Sequence, residues 1–384
     1  MKSVFLRGDD APLNPRIFKK RVARAESGIR PGEAVAVRTA SGRFVGRALW
    51  SPRSVIAARI LDREEHGPPV DAGWFAERIA AAHDLRVNVL RLNEVANAWR
   101  VVHAEGDGIP ALVIDRYADV AVLEVGARGV FEHLDGIVDA VRSIVGAREV
   151  VVRADRRIEE IEGFRAVDRR AGRVVTEIRE HGLRFGVDCT GGHKTGFFVD
   201  QRESRLEVGR LAKGRRVLDL CCYTGGFALA AAKGGAKSVT AVDLDEEDVD
   251  RARENATRNG LDLELLHADV FDFLRGRRGP PAELVVLDPP KLAARARDLG
   301  VARKKSVDFN RLALEALAPG GLLFTFSCTG LLSPDDFHRH LKEASVHAGR
   351  PVRVLRVTGQ PPDHPVSIHC PESRYLTGIL CQAE

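Results

Sequence analysis

The sequence predicts an α/β fold: a doubly wound sheet in the carboxyl-terminal half, preceded by a β-rich amino-terminal domain and an α+β middle domain. Three observations predict it. The apolar run Val217 to Leu220 leads into a Gly225-Gly226 turn and the alanine-rich Phe227 to Lys233, which reads as strand, tight turn and helix. Further apolar runs lead to acidic residues at Asp243, Asp269 and Asp288. Positive charge is concentrated at one end: residues 1–63 hold 14 Lys+Arg against 5 Asp+Glu in a chain whose net charge is +5, so the remainder is slightly acidic.

In the basic region, Ala34 to Val37, Phe44 to Gly46 and Val55 to Ile60 are strand-like, and they would carry the charge as a phosphate-facing surface. Glu64 to Asp71, with His66-Gly67-Pro68-Pro69, is a polar, proline-bearing linker. A middle domain follows, with helical patterns over Phe75 to Arg86 and His133 to Val145. Its strand-like segments are Ala111 to Ile114, Val120 to Leu123, Val150 to Val152 and Arg173 to Ile178. Leu183 to Val187 opens the third part, giving expected domains of 1–70, 73–182 and 183–384.

The Gly225-Gly226 turn implies a nucleotide-type pocket, because glycines let the backbone close on a ligand and the new helix offers it unpaired N–H groups. The three-glycine fingerprint that admits a pyrophosphate is missing, which disfavours a dinucleotide. S-adenosylmethionine (SAM) has no phosphate, only a ribose diol, an adenine and an amino-acid part to hold. Asp243, 24 residues after Asp219, can accept both ribose hydroxyls, and Asp269 is placed to meet the adenine. Leu284 to Leu287 is a fourth strand, stopped by Asp288-Pro289-Pro290 because prolines give no donor to a ladder. In enzymes that methylate exocyclic amines an aromatic follows this turn; here Lys291 stands there, which argues against that chemistry. A helix over Phe309 to Leu317 and a Pro319-Gly320-Gly321 turn lead to the strand Leu322 to Ser327, whose end delivers Cys328. A thiolate at that edge can add to C6 of a pyrimidine and make C5 a nucleophile for the sulfonium methyl.

These residues resemble the bacterial ribosomal RNA (cytosine-C5) methyltransferases that join an amino-terminal PUA-type RNA-binding domain to a Rossmann-like class I SAM methyltransferase domain and act on 23S rRNA. The resemblance rests on Glu105 to Pro110, Asp115-Arg116-Tyr117, His193 to Arg202, Tyr223 to Phe227, Asp288 to Lys291, Phe326-Ser327-Cys328, Asp363-His364-Pro365 and Pro371 to Leu376. It implies that Cys328 is the nucleophile; Asp288, at the end of the fourth strand, can hydrogen-bond the amino edge or N3 of a cytosine. It also implies that Lys194, Thr195, Gly196, Phe197, Asp200, Gln201 and Arg202 lie against the cofactor, and the expected cofactor set adds Asp219, Tyr223, Thr224, Gly225, Asp243, Asp269, Asp288 and Pro289. The amino end departs from the family, with Leu13-Asn14-Pro15-Arg16-Ile17-Phe18 where relatives carry His-Pro-Trp-Val-Phe, so the RNA contact there differs.

Composition sets the remaining expectations. No run reaches the roughly 18 apolar residues of a membrane span, and Met1 to Asp10 lacks a signal-peptide core, so a cytoplasmic protein is expected. The six cysteines form no C-x-x-C pair, and His338 and His340 sit on different helix faces, so no metal site is expected. Large-subunit ribosomal RNA is the expected partner, with a homodimer left open. Two other readings stand beside this one: a SAM-dependent methyltransferase for another RNA site or a small molecule, and a non-catalytic RNA-binding protein.

Overall fold

The fold is described from a computed structural model covering residues 1–166, 172–190, 196–293 and 295–384. Six strands form the amino-terminal sheet: β1 (Ser3–Leu6), β2 (Arg16–Phe18), β3 (Val22–Ala25), β4 (Ala34–Arg38), β5 (Phe44–Trp50) and β6 (Ile56–Asp62), in the order β2-β6-β5-β4-β1-β3. Only the last three were legible as strands; β1 to β3 are short, and β3 is largely exposed. The basic surface is smaller than the charge count suggests. Arg47 and Arg59 are buried, the first paired with Asp62 and the second 3.3 Å from Glu162. Lys19, Lys20, Arg24, Arg30 and Arg53 remain exposed.

After α1 (Ala72–Asp84) comes a four-stranded sheet of β7 (Ala98–His103), β8 (Leu112–Tyr117), β9 (Val120–Val125) and β10 (Glu149–Arg153), in the order β10-β9-β8-β7. The helices α2 (Arg128–Phe131), α3 (Leu134–Ala140) and α4 (Arg156–Glu162) belong to the same region. Trp74, Phe75, Ile79, Trp99, Ile114, Leu123 and Ile137 share its core. Next, β11 (Val175–Glu180) and β12 (Leu183–Asp188) form a two-stranded sheet.

The third sheet has seven strands: β13 (Arg216–Leu220), β14 (Ser238–Asp243), β15 (Glu264–His267), β16 (Ala282–Leu287), β17 (Leu317–Ser327), β18 (Val352–Gly359) and β19 (Thr377–Ala383). Their order is β15-β14-β13-β16-β17-β19-β18. β13 pairs in parallel with β14 on one side and β16 on the other, so the topological switch point of the sheet lies at its carboxyl end. The helices are α5 (Arg202–Leu211), α6 (Gly226–Lys233), α7 (Glu246–Asn259), α8 (Val270–Gly276), α9 (Leu299–Glu315) and α10 (Pro334–His347). Strand alternation divides the core by face: Leu218, Leu220, Val285 and Leu287 join one cluster, while Val217, Leu284 and Val286 join another.

Two elements differ from their expected limits. Pro319-Gly320-Gly321 is a bulge inside β17 instead of a turn before it: Ala282 faces Leu317 and Leu284 faces Leu322, so the excess residues loop out, helped by Gly320 at φ +72°. α9 begins at Leu299, ten residues before the expected start, because Ala302, Ser306 and Val307 supply a buried face too polar to show in hydropathy.

The chain groups into two units. One holds Met1–Glu180, Val187–Asp200 and Pro362–Ser373; the other holds His181–Gly186, Gln201–Pro361 and Arg374–Glu384. The single passage expected near residue 183 is thus joined by a later return of residues 362–373 to the first unit. A buried ionic network holds that return. Arg86 pairs with Asp107 at 2.6 Å and donates to the Asp363 carbonyl at 2.6 Å, while the Asp363 carboxylate accepts from the Arg100 backbone N–H at 3.1 Å. The Arg100 side chain bonds Asp115 at 2.8 Å, and His103 Nε2 meets the Ser373 carbonyl at 3.2 Å. Burial pushes His103 down to about 3, aided by the nearby Arg100 charge, so its ring stays neutral.

Candidate active site

The turn after β13 is the most strained part of the second unit. Cys221, Tyr223 and Gly225 take φ of +62°, +50° and +83°, a costly region for the first two. Hydrogen bonds hold it from several sides: Cys222 N–H to Val242 carbonyl at 3.1 Å, Tyr223 N–H to Asp243 Oδ2 at 2.8 Å, Gly225 N–H to Cys222 carbonyl at 2.9 Å, and Asn255 Nδ2 to Thr224 carbonyl at 3.1 Å. A Cβ on Gly225 would lie 2.7 Å from Leu229 Cδ1 and 3.1 Å from Ala252 Cβ. The glycine is thus required by α6 and α7 packing as well as by φ, beyond the ligand approach inferred from sequence.

The acidic residues take different roles. Asp243 ends β14 with Oδ2 accepting from Tyr223 N–H and Oδ1 from Asp245 N–H at 3.0 Å, which fixes its carboxylate at the sheet edge. Asp269 caps α8, with Oδ1 accepting from Phe271 and Asp272 N–H groups. Asp219 lies inside β13, fully buried; Oδ2 accepts from Ala228 N–H at 2.9 Å, and Oδ1 has no partner among the described residues. Burial, then the charges of Asp288 and Asp243, push its carboxyl up to about 8 against the pull of the Ala228 N–H.

Asp288 follows β16, its N–H bonded to the Leu220 carbonyl at 3.2 Å and its Oδ2 accepting from Gln201 Nε2 at 3.0 Å. Pro289 is buried beneath it, and Cys328, the first residue beyond β17, is half-buried with Sγ 4.0 Å from the Pro289 carbonyl oxygen. Thr329 Oγ1 accepts from Leu292 N–H at 3.3 Å, so the loops after β16 and β17 are laced together. The thiol, the Asp-Pro-Pro turn and the turn after β13 therefore lie at the carboxyl ends of neighbouring strands. A cavity of about 800 Å³ opens at the opposite edge by Arg216, Ser238 and Ala282, and includes none of the predicted site residues.

The block from 193 to 202 is divided. Lys194 and Thr195 lie outside the described residues. Gly196, Phe197 and Asp200 belong to the first unit, where the buried Tyr117 hydroxyl donates to the Phe197 carbonyl at 2.9 Å. Gly196 has φ +132°, and a Cβ there would meet the Asp188 carbonyl oxygen at 2.9 Å. Gln201 and Arg202, both buried, belong to the second unit.

Sequence reasoning missed Asn255 and the pairing of Gln201 with Asp288. Asn255 is buried on α7; besides holding Thr224 it accepts from Gly186 N–H at 2.9 Å. Its signal was a polar residue on the apolar face formed by Val249, Ala252 and Ala256.

The site fits SAM by its unsatisfied groups: Thr224 Oγ1 and Asp219 Oδ1 are buried without partners among the described residues, beside the Asp243 carboxylate. Tyr223, Thr224, Asp219 and Asp243 would hold it, and bound SAM supplies an electrophilic methyl group on a sulfonium. Such a turn at the switch point of a seven-stranded sheet defines a SAM-dependent methyltransferase. Residues 160–368 match the model of the S-adenosylmethionine-dependent methyltransferase family, and residues 13–63 match a PUA-like domain.

The chain belongs to that methyltransferase family, together with the proteins named ribosomal RNA large subunit methyltransferase I. It is 37% identical over 380 residues to the one from Erwinia tasmaniensis, covering 96% of this chain and 95% of that protein. It is also 37% identical over 386 residues to the one from Aeromonas hydrophila, with coverage of 96% and 95%. Among solved structures, SMU.776 in complex with SAH superposes with a TM-score of 0.84 at 22% identity, and a SAM-dependent methyltransferase from Streptococcus mutans with 0.81 at 20%; each match covers both chains fully. At those identities the likeness shows the fold.

Proposed function

We propose that this protein methylates C5 of a cytosine in large-subunit ribosomal RNA through a covalent adduct of Cys328 at C6. The observation that carries the reading is the half-buried Cys328 thiol 4.0 Å from the Pro289 carbonyl, beside Asp288 and at the edge that bears the cofactor turn. The Cys328 thiolate adds to C6, and the electron pair of the C5–C6 double bond moves to C5, which takes the methyl group. Loss of the C5 proton then restores the double bond and expels the thiolate. Asp288 holds the base by its amino edge, or by N3 once that nitrogen carries a proton, keeping C6 over the sulfur. Asp243 would accept the ribose hydroxyls of bound SAM, and Asp269 would meet its adenine.

The PUA-like domain supports the RNA part of this reading, with Lys19, Lys20, Arg24, Arg30 and Arg53 exposed to take phosphates. A ribosomal substrate places the reaction in the cytoplasm. The test is tritium release from large-subunit RNA made with cytidine labelled at C5. Stoichiometric release with each methyl transferred is expected; methyl transfer without release removes C5 as the acceptor.

A further inference from the structure

Gln201 is a buried polar group that the cofactor cradle leaves unexplained. Only 3% of the residue is exposed, and its amide has two distinct ends. Nε2 donates to Asp288 Oδ2 at 3.0 Å, whereas Oε1 is buried with no partner among the described residues. This orientation is chemically fixed. An ionised carboxylate only accepts hydrogen bonds, so the amide must turn its NH₂ towards Asp288 and its oxygen away. A buried acceptor without a donor is costly unless a ligand supplies one. Both residues lie by the turn that carries Pro289, whose carbonyl oxygen is 4.0 Å from the Cys328 sulfur.

We propose that Gln201 reads the exocyclic amino group of the target base, accepting its N4–H through Oε1 while Asp288 holds the amide in the one orientation that can do so. The inference rests on the cytosine-C5 reading above and adds its specificity. Uracil presents a carbonyl oxygen at position 4, which would face the Gln201 oxygen acceptor to acceptor. Cytosine offers a donor at the same point. Resemblance alone placed Gln201 against the cofactor; the geometry turns it towards the residue that positions the base.

The test uses the full-length protein with SAM and large-subunit RNA transcripts in which every cytidine is 5-fluorocytidine. After methyl transfer to C5, fluorine cannot leave as a proton does, so the Cys328 adduct persists and is counted on a denaturing gel. Parallel transcripts carry 5-fluorouridine in place of uridine. Wild type is expected to trap the cytidine transcript and not the uridine one. Gln201→Met, which keeps the length and loses both polar ends, should slow trapping by about 5- to 150-fold, the span of one buried hydrogen bond. It should also narrow the preference for cytidine, while SAM affinity by calorimetry stays within about twofold. Gln201→Ala serves as a second variant, and unchanged SAM binding certifies that either one is folded. Trapping at the wild-type rate with an intact preference overturns the proposal. So does weakened SAM binding with base preference preserved, because the oxygen would then serve the amino group of the cofactor. Failure of wild type to trap any transcript, with SAM bound normally, sinks the cytosine-C5 reading itself.

Discussion

Replacing Asp219 by asparagine should stabilise the ligand-free protein, and the gain should depend on pH. Asp219 sits in β13, an interior strand of the seven-stranded sheet, fully buried, with its carboxyl raised from 3.8 to about 8 chiefly by burial and then by Asp288 and Asp243. Keeping a proton at pH 7, about three pH units above the ordinary value, costs about 4 kcal/mol at 1.36 kcal/mol per unit. Below pH 3.8 the folded and unfolded chains both hold the proton, and there is no penalty. As pH rises towards 8 only the unfolded chain releases it, so the penalty grows across that window and is complete above about pH 8. The Asp219→Asn variant would carry none of this and keep an oxygen for the Ala228 N–H, but its amide still loses water on burial, so the expected net gain at pH 7 is about 1–3 kcal/mol. For a unit of this size that raises Tm by about 2–10 °C. Melting temperatures of both proteins from about pH 4.5 to 8.5 should diverge with pH; parallel curves, or a variant equally weakened throughout, would refute the reasoning.

Three other predictions follow from the same geometry. Gly225→Ala should cost about 1–3 kcal/mol in thermal unfolding and weaken SAM binding in calorimetry, because φ is +83° and the new methyl meets Leu229 and Ala252. Arg86→Met leaves Asp107 buried without its partner and should destabilise the first unit by about 3–5 kcal/mol, read as a lower urea midpoint. Reversing Lys19 and Lys20 to Glu should weaken RNA binding and flatten its dependence on log salt by about 0.7 per lost single-strand phosphate contact, with SAM affinity unchanged.

Much of the catalytic fold was legible because parallel strands buried on both faces are continuous apolar runs, as Leu284 to Leu287 shows, and because Gly225-Gly226 and Asp288-Pro289-Pro290 punctuate them. What was hidden depends on distance along the chain. Asp363 meets Arg86 and Arg100 across more than 260 residues, so no local pattern marks residues 362–373 as part of the first unit. The bulge at Gly320 and the polar first half of α9 also escaped, since a looped-out strand mimics a turn and a buried serine mimics a surface one. At the site, sequence named Asp219, Asp243, Asp269 and Asp288 as one series. Burial separates them into a neutral strand residue, a tethered strand end, a helix cap and a turn residue bound to Gln201.

In the proposed reaction the Cys328 sulfur forms the bond that makes C5 reactive. The direct measurement is nucleoside mass spectrometry of large-subunit RNA, free of protein and unmodified, after incubation with SAM and either wild type or Cys328→Ala. Wild type is expected to give 5-methylcytidine and the variant none, with SAM bound equally by both; 5-methylcytidine at the wild-type level from Cys328→Ala would exclude the covalent step.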